Sequence, residues 1–88
     1  MDVRKRYVDK LTKIPALRVF PSQANYIMCH LDSGMSSRKL ADIMLNKYNI
    51  LIKDLSTKEG LNGGNYIRLS VKTDEENDVV VRVLNELL

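Results

Sequence analysis

Apolar positions recur along this chain with two periods, and the switches between them predict seven elements. Val3, Tyr7, Val8 and Leu11 follow the spacing of one helical face, with Arg4, Lys5, Arg6 and Lys10 mostly elsewhere. Pro15 pushes its predecessor out of the α region, so this helix is expected to end near Lys13 or Ile14. Leu17-Arg18-Val19-Phe20 reads as a short strand closed by Pro21-Ser22. Residues 25–31 read as a second, with Ile27, Cys29 and Leu31 alternating with Tyr26, Met28 and His30. Asp32-Ser33-Gly34 is turn chemistry. Ser36 or Ser37 then caps a helix carrying Leu40, Ile43, Met44 and Lys47, and Asn49 suits a left-handed C-cap.

Residues 50–55 and 66–71 are the third and fourth expected strands. Between them, residues 56–65 hold three of the four glycines and read as an exposed loop. The last segment needs arbitration, because Val79-Val80-Val81 has strand propensity. Thr73-Asp74-Glu75-Glu76 has capping-box spacing, however, and Val80, Val83, Leu84 and Leu87 repeat at helical intervals. Helix wins. The order is α-β-β-α-β-β-α, with no repeat and no internal linker, so residues 1–88 are read as one α+β domain. Its small, mostly antiparallel sheet carries helices packed on one face and leaves the other uncovered.

That uncovered face is the informative one. In the fourth strand Ile67, Leu69 and Val71 take one side while Tyr66, Arg68 and Ser70 take the other. A guanidinium keeps its charge, so an arginine in mid-strand calls for solvent or an anion. If Ile50 and Ile52 point at the helices, then Leu51, Lys53 and Leu55 point away, beside Arg68, Tyr66, Met28 and Tyr26. A face bearing leucine, methionine and tyrosine with two cations reads as a surface meant to be covered. Lys53 and Arg68 could hold a carboxylate or phosphate between them. The alternative is ordinary pairing with a neighbouring acid such as Asp54 or Glu59.

Charge adds one question. Residues 1–20 hold six Lys/Arg against two acids, and residues 73–88 hold five acids against one Arg. The basic end lacks interleaved aromatics beyond Tyr7, which speaks against nucleic acid. Two oppositely charged termini lying near each other, or facing water, explain it more simply. The single Cys29 excludes an internal disulfide framework and fits a reducing, cytoplasmic setting. No apolar run reaches membrane-spanning length, and residues 1–20 are too charged for a secretory signal.

Other motifs carry less. Gly60-Leu61-Asn62-Gly63 matches a Gly-x-x-Gly clamp, but such clamps join two helices, and turn-forming glycines suffice here. Ser36-Ser37-Arg38-Lys39 has Ser-x-x-Lys spacing without its partner motifs, and helix capping explains it. One histidine and one cysteine cannot assemble a soft-ligand metal site.

Four stretches taken together resemble a known ending. They are Pro21-Ser22-Gln23-Ala24-Asn25-Tyr26-Ile27-Met28, Ile50-Leu51-Ile52-Lys53-Asp54, Tyr66-Ile67-Arg68-Leu69-Ser70-Val71 and Glu76-Asn77. In this order and spacing they resemble the C-terminal small domain of class I/II, fold type I, pyridoxal-phosphate-dependent aminotransferases. The histidinol-phosphate aminotransferases are closest, and the threonine-phosphate decarboxylases share the ending. The resemblance implies that Arg68 grips a substrate carboxylate and that Asn25 belongs to the same substrate-binding set. Lys53 stands where the family usually has arginine, at the substrate's distal anionic end. It further implies a parent with a large pyridoxal-phosphate-binding domain and an amino-acid or 2-oxo-acid substrate. Such a parent would be a homodimer with no nucleic-acid or membrane partner. The Schiff-base lysine, the aspartate under the pyridine nitrogen and the cofactor phosphate site belong to that large domain. Met1 opening into a charged helix then looks like a cut in a longer protein, and this chain alone is expected to be inactive. A free-standing module binding RNA or a small anion on the open face is the alternative, and an oligomer interface there a third.

Overall fold

The computed structural model describes residues 2–20, 25–56 and 64–88. Its helices are α1 (Val3–Leu11), α2 (Ser37–Tyr48) and α3 (Asp74–Leu87), and its strands are β1 (Leu17–Phe20), β2 (Tyr26–Leu31), β3 (Lys53–Asp54) and β4 (Tyr66–Ser70). Each helix starts on a side chain that satisfies an otherwise unpaired backbone N–H. Asp2 accepts from Arg4 N at 3.0 Å, Ser36 from Lys39 N at 3.1 Å and Thr73 from Glu76 N at 3.2 Å. The Thr73 hydroxyl also donates to the Glu76 carboxylate at 3.0 Å. At the far end of α2, Asn49 takes the left-handed conformation (φ 57°), so that the Ile50 amide turns back to the Met44 carbonyl.

The four strands form one antiparallel sheet in the order β1-β2-β4-β3. Alternation sorts the strands as the sequence suggests. Ile27, Cys29 and Leu31 of β2 and Ile67 and Leu69 of β4 are buried in one cluster with Tyr7, Leu11, Leu40, Met44, Val83 and Leu84 of the helices. The fold is therefore α+β with the helices on one side of an antiparallel sheet. Removing these side chains from water is the main force holding the layers together.

The charge asymmetry resolves within this packing. Arg6 of α1 donates two bonds to Asp74 of α3, Nε to Oδ1 at 3.1 Å and Nη2 to Oδ2 at 2.8 Å, and Lys10 pairs with Asp78. The Arg6 hydrogen bond holds the Asp74 carboxyl below its ordinary range. Pairs that remain partly open to solvent add little stability, and these two join α1 to α3.

Four boundaries differ from the sequence expectation, the slightest being β4, which ends at Ser70 rather than Val71. α1 stops at Leu11 rather than near Lys13. There Thr12 Oγ1 donates to the Asp9 carbonyl at 2.9 Å, and the Lys13 and Ile14 amides make tighter three-residue bonds to Lys10 and Leu11. The second strand begins at Tyr26, although the Asn25 carbonyl still accepts from Val71 N at 2.9 Å. The third strand is the largest correction. Of residues 50–55 only Lys53 and Asp54 pair in register with β4, with Leu55 N reaching the Tyr66 carbonyl at 2.9 Å. Ile50 is held at the end of α2 by its bond to Met44, which leaves Leu51 and Ile52 to bridge the distance. Leu51 is 75% exposed, as expected, but Leu55 is buried rather than part of an exposed face.

Candidate functional site

Register places one row of side chains straight across the uncovered face of the sheet. Phe20 lies opposite Met28, Met28 opposite Arg68, and Arg68 opposite Lys53. Residues directly opposite each other have Cβ atoms about 5 Å apart, so the two cationic side chains leave the sheet side by side. Neither makes an ion pair among the described residues, where the four salt bridges use Arg6, Lys10, Arg18 and His30. Two unpaired like charges at this spacing repel, and an anion between them relieves that. A surface hollow of about 410 Å³ lies there, lined by Leu51, Ile52, Lys53, Asp54, Arg68 and Ser70.

Arg68 is further fixed from the side. Its Cζ stands 4.9 Å from the ring centre of Tyr26, one diagonal step away on the same face. The aromatic plane limits the guanidinium's swing while leaving its N–H groups available. Lys53 is exposed and more mobile in principle, a point charge on a flexible stem.

Asp54 answers the alternative of ordinary pairing. Its carboxylate faces the helix side and accepts from Ser37 Oγ at 2.7 Å, Ser56 N at 2.9 Å and Ser56 Oγ at 2.8 Å. Desolvation pushes its pKa up, but these hydrogen bonds, with Arg38 nearby, outweigh it and leave the carboxyl below its ordinary value. Asp54 is thus occupied and does not neutralise Arg68 or Lys53. Sequence reasoning named it only as a possible surface partner. The signal for its actual role, Ser37 of α2 joining Ser56 at the carboxylate, exists only in three dimensions. Glu59 and the Gly60–Gly63 motif lie outside the described residues.

Asn25 is not brought into the cationic pair. It sits exposed at the start of β2, three residues before Met28, with its backbone tied to Val71. His30 points its Nδ1 at Asp32 Oδ1, 2.7 Å away, and its ring stands edge-on to Tyr66 at 4.7 Å. Cys29 is fully buried, and burial pushes its thiol up to about 12, so it is a core residue and no nucleophile. Among the described residues no cluster of three metal-ligating side chains occurs. Ser36 spends its hydroxyl on the Lys39 amide, which is the capping role expected of it.

No family model matches the chain. The histidinol-phosphate aminotransferase of Methanococcus maripaludis (strain C5) is 30% identical over 88 residues, 100% of this chain and 23% of that protein. Among solved structures, a decarboxylase from Sulfurospirillum multivorans superimposes with a TM-score of 0.90 at 30% identity, covering 98% of this chain and 24% of the other. The histidinol-phosphate aminotransferase from Clostridium acetobutylicum does so with a TM-score of 0.86 at 32% identity, covering 97% and 25%. The chain spans about a quarter of the length of the relatives it matches.

The α+β sheet with its open cationic face is therefore that of an aminotransferase small domain. More narrowly, the chain belongs with the C-terminal part of the pyridoxal-phosphate-dependent aminotransferases that include the histidinol-phosphate enzymes and related decarboxylases. Among the described residues no helix is long and apolar enough to cross a membrane.

Proposed function

We propose that residues 1–88 act as one unit, the C-terminal small domain of a cytoplasmic, homodimeric, pyridoxal-phosphate-dependent aminotransferase of the histidinol-phosphate type. The observation that carries this is the Arg68–Lys53 pair, set opposite each other on the uncovered face over an open hollow. Arg68 would take the substrate carboxylate with its planar fork, held at its angle by Tyr26. Lys53 would meet the distal anionic end, such as a phosphate, as a point charge. Asn25, beside Tyr26 at the end of the sheet, is the third substrate-binding residue of this reading.

The described residues do not themselves fit the cofactor. Asp54, the carboxylate nearest the cations, is turned away and bonded to Ser37 and Ser56, so none is left there for a pyridine nitrogen. In the whole enzyme the cofactor supplies the electron sink for chemistry at the amino-acid α carbon, and the large domain would hold it. This chain's part is orientation. Fixing both anionic ends of the substrate sets which bond stands over the cofactor, and such positioning supplies a large share of many rate enhancements. Closure of this face against the large domain would exclude water from the charges and strengthen their hold.

The test is to express the protein encoded by the complete reading frame and assay it with cofactor. Transfer of an amino group to 2-oxoglutarate, absent from the 88-residue chain alone, is the expected result. A complete protein that neither binds pyridoxal phosphate nor acts on amino acids would overturn the reading. The similarity to solved decarboxylases, one of them an L-threonine-O-3-phosphate decarboxylase, supports a second reading, in which the parent releases carbon dioxide from a phosphorylated amino acid. Measuring carbon dioxide against keto-acid product from one substrate separates the two.

A further inference from the structure

The face that carries Lys53 is held in place by very little strand. β3 contributes two residues to the sheet, at its edge, and is continued by the single bond from Leu55 N to the Tyr66 carbonyl. An edge strand this short would not by itself fix the position of a flexible lysine opposite Arg68. The residue next to that lysine is the anchor. Neighbouring residues in a strand point to opposite faces, so Lys53 meets solvent while Asp54 reaches the helix layer.

There the Asp54 carboxylate gathers three hydrogen bonds from two segments. Ser37, fully buried in the first turn of α2, gives its hydroxyl, and Ser56 gives its hydroxyl and its amide. The start of β4 closes the same knot. Asn65 Oδ1 accepts from the Ser37 amide at 3.3 Å, and Gly64, at φ +74°, lets Ser56 approach to 3.3 Å of where a Cβ would stand. The carboxylate also lies at the N-terminal end of α2, where the helix favours negative charge.

We infer that Asp54 is a positioning residue for substrate recognition: by tying β3 to α2 and to Ser56 it sets Lys53 at its distance from Arg68, and so selects substrates with a second anionic group. This rests on the reading of Lys53 as the distal-anion residue. Asp54 touches no substrate. Its effect appears only on ligands that use Lys53.

The experiment uses the full-length holoenzyme and two competitive ligands, O-phospho-L-serine with anions at both ends and L-alanine with one. Asp54→Ala is expected to weaken O-phospho-L-serine about tenfold, the scale on which small misplacements act, and L-alanine less than about twofold. Asp54→Asn keeps an oxygen for Ser37 and the Ser56 amide and should recover most of that loss. In a Lys53→Met background, Asp54→Ala should add nothing further for either ligand. Equal weakening of both ligands, or an undiminished effect in the Lys53→Met background, would overturn the inference. If Asp54→Ala does not yield folded enzyme, Ser56→Ala removes one of the three bonds and should show the same ligand-selective loss in smaller measure. Loss of neither ligand by that variant counts against the inference. Lys53→Met with unchanged O-phospho-L-serine binding would instead sink the reading of Lys53 itself, a separate and recognisable failure.

Discussion

Tyr7 offers a sharp test of how the helix layer is built. It is 1% exposed, packed between α1 and the sheet, yet its hydroxyl has no hydrogen-bond partner among the described residues. A buried hydroxyl with no partner costs about 1–3 kcal/mol in lost hydration. Tyr7→Phe removes that group and leaves the ring in place, so the variant should be more stable by roughly 1–2 kcal/mol. For a domain of this size each kcal/mol moves the midpoint by about 4–8 °C, so the rise is large enough to see in a far-UV circular dichroism melt. A pH series strengthens the test. Burial pushes the Tyr7 phenol well above its ordinary value of 10.0, so the neutral form is held in the fold while the unfolded chain ionises. The folded state's stability is therefore complete below about pH 10 and falls as pH rises beyond it, by up to about 1.4 kcal/mol per unit. The advantage of the phenylalanine variant should widen there. A variant less stable than the parent at neutral pH would refute the reasoning and show that the hydroxyl is satisfied by bound water or another segment.

Other expectations follow from single contacts. Asn77, 3% exposed, accepts from Lys72 N at 3.0 Å and donates to the Lys72 carbonyl at 3.3 Å, so Asn77→Ala should cost about 1–3 kcal/mol in a urea melt. Thr73→Ala removes the α3 cap and should cost about 1 kcal/mol in the same assay. Cys29 should resist alkylation at pH 8 in the folded protein and react readily in denaturant, since burial pushes its thiol up to about 12. Asp54 and Asp74 titrate in the fold below their ordinary 3.8. Their contribution is complete above that pH and lost as pH falls through the lowered values, so acid melts of Asp54→Asn and Asp74→Asn should lose part of the wild-type drop.

Much of the fold is legible in local pattern because the pattern and the packing obey the same periods. Ile67 and Leu69 are inside and Arg68 outside because a strand permits nothing else. Thr73 and Glu76 mark the start of α3 through a bond that spans one turn. The stretch 50–55, with four apolar residues in six, misleads because composition cannot show that Ile50 remains bonded to the end of α2. Arg68 was legible as an anomaly, a permanent charge in an apolar run. That Lys53 lies directly opposite depends on register, which for a two-residue strand is set by Asp54's contacts with Ser37 and Ser56. The contact with Ser37, 17 positions away, leaves no local trace, and only the Asp54-Leu55-Ser56 spacing hints at the other.

The most direct test of the central claim is the kinetics of Arg68→Ala in the full-length enzyme, with kcat and KM determined separately for the amino donor. Loss of a bidentate charge-assisted contact of about 1.5–3 kcal/mol should raise KM roughly 10- to 100-fold and weaken carboxylate inhibitors in parallel. The melting temperature should change little, because among the described residues the guanidinium makes no ion pair and rests against the exposed Tyr26 ring. Unchanged KM and unchanged inhibition by carboxylates would mean that this face does not hold the substrate, and the proposed function would fall with it.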